Sequence, residues 1–168
     1  VFSGWRLSPN AVGDAGRIGL FGLQTDGIDY AAYGGSGGRR IQHMPTLTAG
    51  GTLVFVEADS LGWDGAGQLG AIDTSRPHHT YRPLSGASDG LFHSPSPLHG
   101  DTLLASHRVD GGPLRIVRAS VSGDVLETVH EDPRHHALHA RLVAARPEPD
   151  GRSSTVRPES TTGTLFCL

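Results

Sequence analysis

The chain has 168 residues, a formal charge of -3 and a single Cys. That length allows one domain with a substantial core, and one Cys excludes an internal disulfide framework. Charge without blocks argues against a nucleic-acid groove or a basic membrane-binding face, and no apolar run approaches the roughly 18 residues of a membrane span.

Glycine occurs 24 times and proline 11 times, which points to many turns and short elements. All 14 basic residues are Arg. Asp outnumbers Glu by 12 to 5, which suits turns better than helices. The chain opens without Met and stops within Thr164-Leu165-Phe166-Cys167-Leu168. We therefore expect a fragment of a longer polypeptide.

In chain order, Arg17–Leu23 reads as an apolar strand, followed by the turn Asp26-Gly27 and a short run at Asp29–Tyr33. Gly34–Gly38 with Arg39-Arg40 superficially suggests a phosphate loop. It lacks Gly-Lys-Ser/Thr, so an inter-unit linker is the simpler reading. Ile41–Leu53 then aligns without a gap on Leu91–Leu103. His43 falls on His93, Pro45 on Pro95, and Thr52-Leu53 on Thr102-Leu103. Each copy continues alike, through strands Thr52–Ala58 and Thr102–Arg108, turns Asp64-Gly65 and Asp110-Gly111, and strands Gln68–Asp73 and Leu114–Ala119. Each ends near Thr80–Leu84 or Val125–Val129. A third copy enters at His136–Val143, where His135–Ala145 fits a helix or a strand equally well.

Four short strands per unit of roughly 40–50 residues is the size of a propeller blade. Asp-Gly and Gly-Gly supply the positive φ that hairpins need. Continuous apolar runs such as Leu53–Val56 fit strands buried on both faces. A β-sandwich is the rival, but it does not require a gapless repeat. The expected fold is all-β: a propeller fragment of about two and a half four-stranded blades in an incomplete ring. The expected divisions are a partial blade at 1–35, blades at 36–85 and 86–130, a partial blade at 131–146, and a proline-rich exit with the first strand of a following domain at 147–168. Exposed blade faces and edges would make such a fragment aggregation-prone or dimeric by itself.

Candidate chemistry centres on His43, His93 and His139, placed at equivalent repeat positions. The first strand of each blade lies near the central channel, so three imidazoles could converge on one rim to bind a ligand. Local capping of strands and turns explains them equally. His135, His136 and His139 would share a helical face but diverge on a strand, and they lack the Glu of a zinc-protease motif. His78-His79 reads as a solvated loop. Asp26, Asp64, Asp89, Asp110 and Asp150 each precede Gly, which turn chemistry explains more simply than a pair of catalytic acids. No Gly-x-Ser-x-Gly supports a serine nucleophile. Cys167 reads as a small buried hydrophobe. Trp5 and Trp63 could pack between blades. Trp63 and Asp64 lie in the loop Asp59–Gln68, longer than its counterpart after Arg108, so they are the candidate partner contact. No catalytic residue and no metal site is assigned.

The stretches Met44–Gly51 and Ser94–Asp101 resemble the Pro-Ser-Trp-Ser-Pro-Asp-Gly segment of TolB-like (PD40-type) propeller repeats. They lack its tryptophan, and their Asp-Gly pair is altered. Leu142–Pro149 and Gly163–Leu168 resemble the last-blade exit and following strand of the hydrazine synthase alpha subunit middle domain family. The resemblance implies a periplasmic or otherwise extracytoplasmic protein, often joined to c-type cytochrome domains. Such domains carry Cys-x-x-Cys-His, which is absent here. The expected role is therefore a non-catalytic scaffold or docking module that contacts other domains of the same chain or a periplasmic partner. The alternative is part of a haem oxidoreductase whose haem c lies outside these residues.

Overall fold

A computed structural model describes residues 2–6, 17–23, 30–33, 39, 41–145 and 161–162. Gly34–Gly38, Asp26 and the expected tail at 147–160 and 163–168 lie outside the described residues. The fold is all-β, with a single 3-10 turn at Ala87–Asp89 as the one helical element among the described residues. It is a propeller of about two and a half four-stranded blades whose ring stays open.

The first full blade is the antiparallel meander β4 (Ile41–Leu47), β5 (Thr52–Ala58), β6 (Gln68–Asp73) and β7 (Arg82–Pro83). The second is β8 (Leu91–Pro97), β9 (Thr102–Arg108), β10 (Arg115–Ser120) and β11 (Val125–His130). In front lie β1 (Phe2–Arg6), β2 (Arg17–Gly22) and β3 (Ala31–Ala32). These front strands join the first blade's sheet through one parallel pair, Ile18 with Ile41. β7 is shorter than the strand expected near Thr80–Leu84. Pro83 has no N–H to give a ladder, and such residues belong at sheet edges.

Alternation along β5 explains why its apolar run is unbroken. Val54 and Val56, with Leu69 and Ala71, face the second blade and meet Phe92, Leu103, Ala105 and Val117. Leu53 and Phe55, with Ile72, face the other way and pack on Leu20 of the front strands. Successive strand residues point to opposite faces, so a spoke with neighbours on both sides needs apolar residues at every position.

The first strand of each blade carries the same irregularity. β4 slips register between His43 and Thr46, and β8 between His93 and Ser96. Each slip is one extra residue, a bulge, and Pro45 and Pro95 sit inside it. A bulge is where an inner strand tolerates proline. The residue before each proline takes a left-handed backbone, Met44 at φ 50° and Ser94 at φ 43°.

The segment expected to open the third copy forms neither helix nor strand between residues 131 and 145. It runs as a strap along the second blade. Ala137 donates its N–H to the Leu114 carbonyl at 2.7 Å, and His139 donates its N–H to Ser94 Oγ at 3.1 Å. A strand requires a ladder partner, and none lies beside this segment among the described residues.

Candidate functional site

The histidine rim and the tryptophan loop, read separately from the sequence, meet in one place. The β5–β6 loop folds back over the inner ends of β4 and β8. Asp64 shapes its tip by accepting the Ala66 N–H on Oδ1 at 3.1 Å, an Asx turn. Gly65 follows at φ +70°, where a Cβ would stand 3.2 Å from His43 Cε1 and 3.5 Å from Met44 Cε. Only glycine fits that approach without strain.

His43 comes from the first blade and His93 from the second. The Gly65 backbone lies beside the His43 ring and the Asp64 backbone beside His93. His93 Nδ1 is 3.0 Å from Ser94 Oγ, and the His93 and His139 rings stand edge to face at 5.1 Å. His93 and Ser94 are buried, at 4% and 3% exposure. His43 Nε2 is buried with no hydrogen-bond partner.

Asp64 turns its carboxylate inward to Arg108, with Oδ2 at 2.9 Å from the guanidinium and side-chain exposures of 4% and 14%. The same guanidinium lies 5.9 Å from the centre of the Trp63 ring, within cation–π range. The Trp63 ring also meets His136 at 5.1 Å. Trp63 itself stays 77% exposed. The result is a loop that turns the Asp64 carboxylate inward and leaves the Trp63 indole exposed.

His139 enters the cluster in a different register from the sequence alignment. Ser94 donates its N–H to Met44 Sδ at 3.3 Å, and His139 donates its N–H to Ser94 Oγ. His139 also has positive φ, at 58°. It thus occupies the bulge position of Met44 and Ser94, and Leu138 takes the place of His43 and His93. Pairing of Gly67 with Phe92 corresponds to that of Leu114 with Ala137, which fixes the same register. The sequence alignment slipped by one because the third copy has no proline to mark the bulge.

The three strap histidines diverge. His135 pairs with Asp132 at 3.3 Å, His136 accepts the Leu114 N–H on Nδ1 at 2.9 Å, and His139 reaches His93. Among the described residues no three His, Cys, Asp or Glu side chains gather as metal ligands. His78 and His79 are exposed. Asp110-Gly111 is a left-handed turn, with φ 56° and 75°. Side chains of the β1 strand, including Trp5, lie outside the described residues, as do Asp150 and Cys167.

Sequence reasoning missed Arg108 and two buried titratable groups at matching blade positions, Glu57 and His107. Glu57 accepts the Tyr81 hydroxyl at 2.7 Å and the Arg39 N–H at 3.0 Å. Burial and then Glu57 push the Tyr81 hydroxyl far above its usual range. His107 Nε2 lies 2.7 Å from the Asp89 carbonyl. A carbonyl can only accept, so Nε2 carries the proton.

Burial is the first cause that lowers the pKa of His43, His93 and His107 below the ordinary 6.5. The second for His43 is His93, and the second for His93 is His139. Nearby backbone carbonyls act in the opposite sense. These histidines are neutral in the fold, whereas the unfolded chain takes up protons near 6.5. Their contribution is complete above 6.5 and is lost as pH falls through the lower folded values. The urea midpoint should drop between about pH 7 and about pH 5, and His107→Gln should flatten that slope. A midpoint that is level across this window would contradict the assignment.

No family profile matches the chain. It is 31% identical over 118 residues to hydrazine synthase subunit alpha of Kuenenia stuttgartiensis, covering 66% of this chain and 14% of that protein. The solved structure of Kuenenia stuttgartiensis hydrazine synthase superposes with a TM-score of 0.67 at 26% identity, over 82% of this chain and 19% of that one. No helix among the described residues is long and apolar enough to cross a membrane. In sequence and in fold, the chain is similar to a part of hydrazine synthase subunit alpha.

Proposed function

We propose that this segment is a non-catalytic, extracytoplasmic propeller module of the TolB-like (PD40-type) repeat kind. It positions neighbouring domains or docks a protein partner, as implied by its resemblance to the hydrazine synthase alpha subunit middle domain. One observation carries the reading. The site turns its acid, guanidinium and central histidine inward, and displays an exposed Trp63 on an anchored loop. Tryptophan is among the side chains most enriched at binding hot spots.

The likeness to hydrazine synthase subunit alpha favours a second reading, as part of a c-type-haem oxidoreductase. The residues here do not fit covalent haem attachment. The one Cys, at position 167, is followed by Leu168, and Cys-x-x-Cys-His is missing. Any haem would belong to other parts of the polypeptide.

Cell fractionation of the intact polypeptide, with photocross-linking from position 63, tests the first reading. The expected result is a periplasmic product with one discrete adduct. A cytoplasmic product, or no adduct, would overturn it. A pyridine haemochrome assay on the same preparation separates the readings, since covalent haem supports the second.

A further inference from the structure

Three observations give the strap the seat of an inner blade strand. The Ala137 N–H meets the Leu114 carbonyl as the Phe92 N–H meets that of Gly67. His139 is tied to Ser94 as Ser94 is tied to Met44. His139 also repeats their left-handed backbone, at φ 58° beside 50° and 43°. β4 and β8 each carry an antiparallel neighbour, β5 and β9. The strap has no such neighbour among the described residues, and its Leu138 and Val143 are exposed. The second blade shows the same gap. On β9, Leu103 and Ala105 are buried against the first blade, whereas Leu104 on the opposite face is only half-buried.

The second strands of the two full blades follow one pattern, Gly51-Thr52-Leu53-Val54-Phe55-Val56 and Asp101-Thr102-Leu103-Leu104-Ala105-Ser106. Gly163-Thr164-Leu165-Phe166-Cys167-Leu168 repeats the Thr-Leu start and the apolar run. The residues between it and the strap are poor ladder material. Pro147, Pro149 and Pro158 have no N–H to give, and Asp150-Gly151 is turn chemistry. We propose that Thr164–Leu168 is the second strand of a third blade, laid antiparallel on the strap, with residues 143–163 as an enlarged hairpin loop. The register that β9 takes on β8 then sets Leu165 against Leu142, Phe166 against Arg141 and Leu168 against Leu138. These pairs copy Leu103 with Pro97, Leu104 with Ser96 and Ser106 with His93. Leu165 and Cys167 take the places of Leu103 and Ala105, so they turn toward the second blade and cover Leu104. Leu138 gains an apolar neighbour in Leu168. This replaces the expectation that the segment opens a following domain, and it stands whether or not a partner docks on Trp63.

Paired cysteines in the intact polypeptide test the register, in a Cys167→Ala background that copies Ala105. Leu142→Cys with Leu165→Cys should close a disulfide under oxidised glutathione, because facing strand residues lie within its reach. Leu142→Cys with Phe166→Cys puts the thiols on opposite faces and should not. Peptide mass mapping reads both. Absence of the 142–165 disulfide, or equal yield from the second pair, overturns the proposal. Should the cysteine variants not fold, amide hydrogen exchange on the unmodified polypeptide decides. Residues 165–168 should exchange at least about tenfold more slowly than residues 150–160, and equal rates refute the strand. Leu138→Asp should remove that protection while β8, β9 and β10 keep theirs. Protection that survives Leu138→Asp would mean that the segment pairs elsewhere, as in a following domain, and would also refute it.

Discussion

Replacing Asp64 with Ala should lower unfolding stability by about 3–5 kcal/mol, the usual cost of orphaning one member of a buried ion pair. The Arg108 side chain is 14% exposed and its Nε has no hydrogen-bond partner. Without Asp64 the guanidinium keeps only the Trp63 face for company, worth about 0.5–1 kcal/mol near a surface. The same substitution removes the Ala66 cap, so the loop loses its shape as well as its charge pair. Asp64→Asn keeps that cap and should cost less. The double variant Asp64→Ala, Arg108→Met should recover part of the loss, because no buried charge is then left alone. Urea denaturation of the three variants measures this. A single Asp64→Ala variant within about 0.5 kcal/mol of the parent would show that the pair carries no weight.

Phe92→Ala should cost a similar amount, about 3–5 kcal/mol, for a different reason. Phe92 is fully buried and fills the seam where the two blades meet, against Val54, Leu69 and Val117. Truncation leaves a cavity between two sheets whose backbones are tied at Gly67 and Phe92, so neither can collapse inward freely. Phe92→Leu should recover most of the loss. The Phe92 ring also lies 4.5 Å from the His107 ring. Opening the seam should therefore raise the His107 pKa toward its ordinary value, a shift that NMR titration can follow. Normal stability in Phe92→Ala would mean that the blades are held together elsewhere.

The strands most legible in the sequence are those with continuous apolar runs ending in glycine turns. β5, β6 and β9 span the residues that the repeat assigned to strands, because burial and turn chemistry agree there. Disagreement came where one signal was missing. β7 shrank to Arg82–Pro83 because propensity said strand and proline withheld the donor. The third copy slipped by one residue because His139 mimicked a motif that Pro45 and Pro95 had fixed in the other two. The meeting of Trp63, Asp64, His43 and His93 was half legible. The repeat placed the histidines on neighbouring blades, but nothing local indicated that the loop folds back over them. Arg108, Glu57 and His107 were illegible, since their partners Asp64, Tyr81 and Asp89 are distant in sequence.

Met44, Ser94 and His139 share one geometric post with three unrelated chemistries. The two links described there use a thioether and a hydroxyl for the same stitch to the following spoke. Such a post demands only an atom with a lone pair, so selection can exchange sulfur for oxygen without disturbing the wheel. Relatives built on this plan would drift apart in letters while keeping every spoke in place, and kinship among them would be plainer in backbone angles than in residue names.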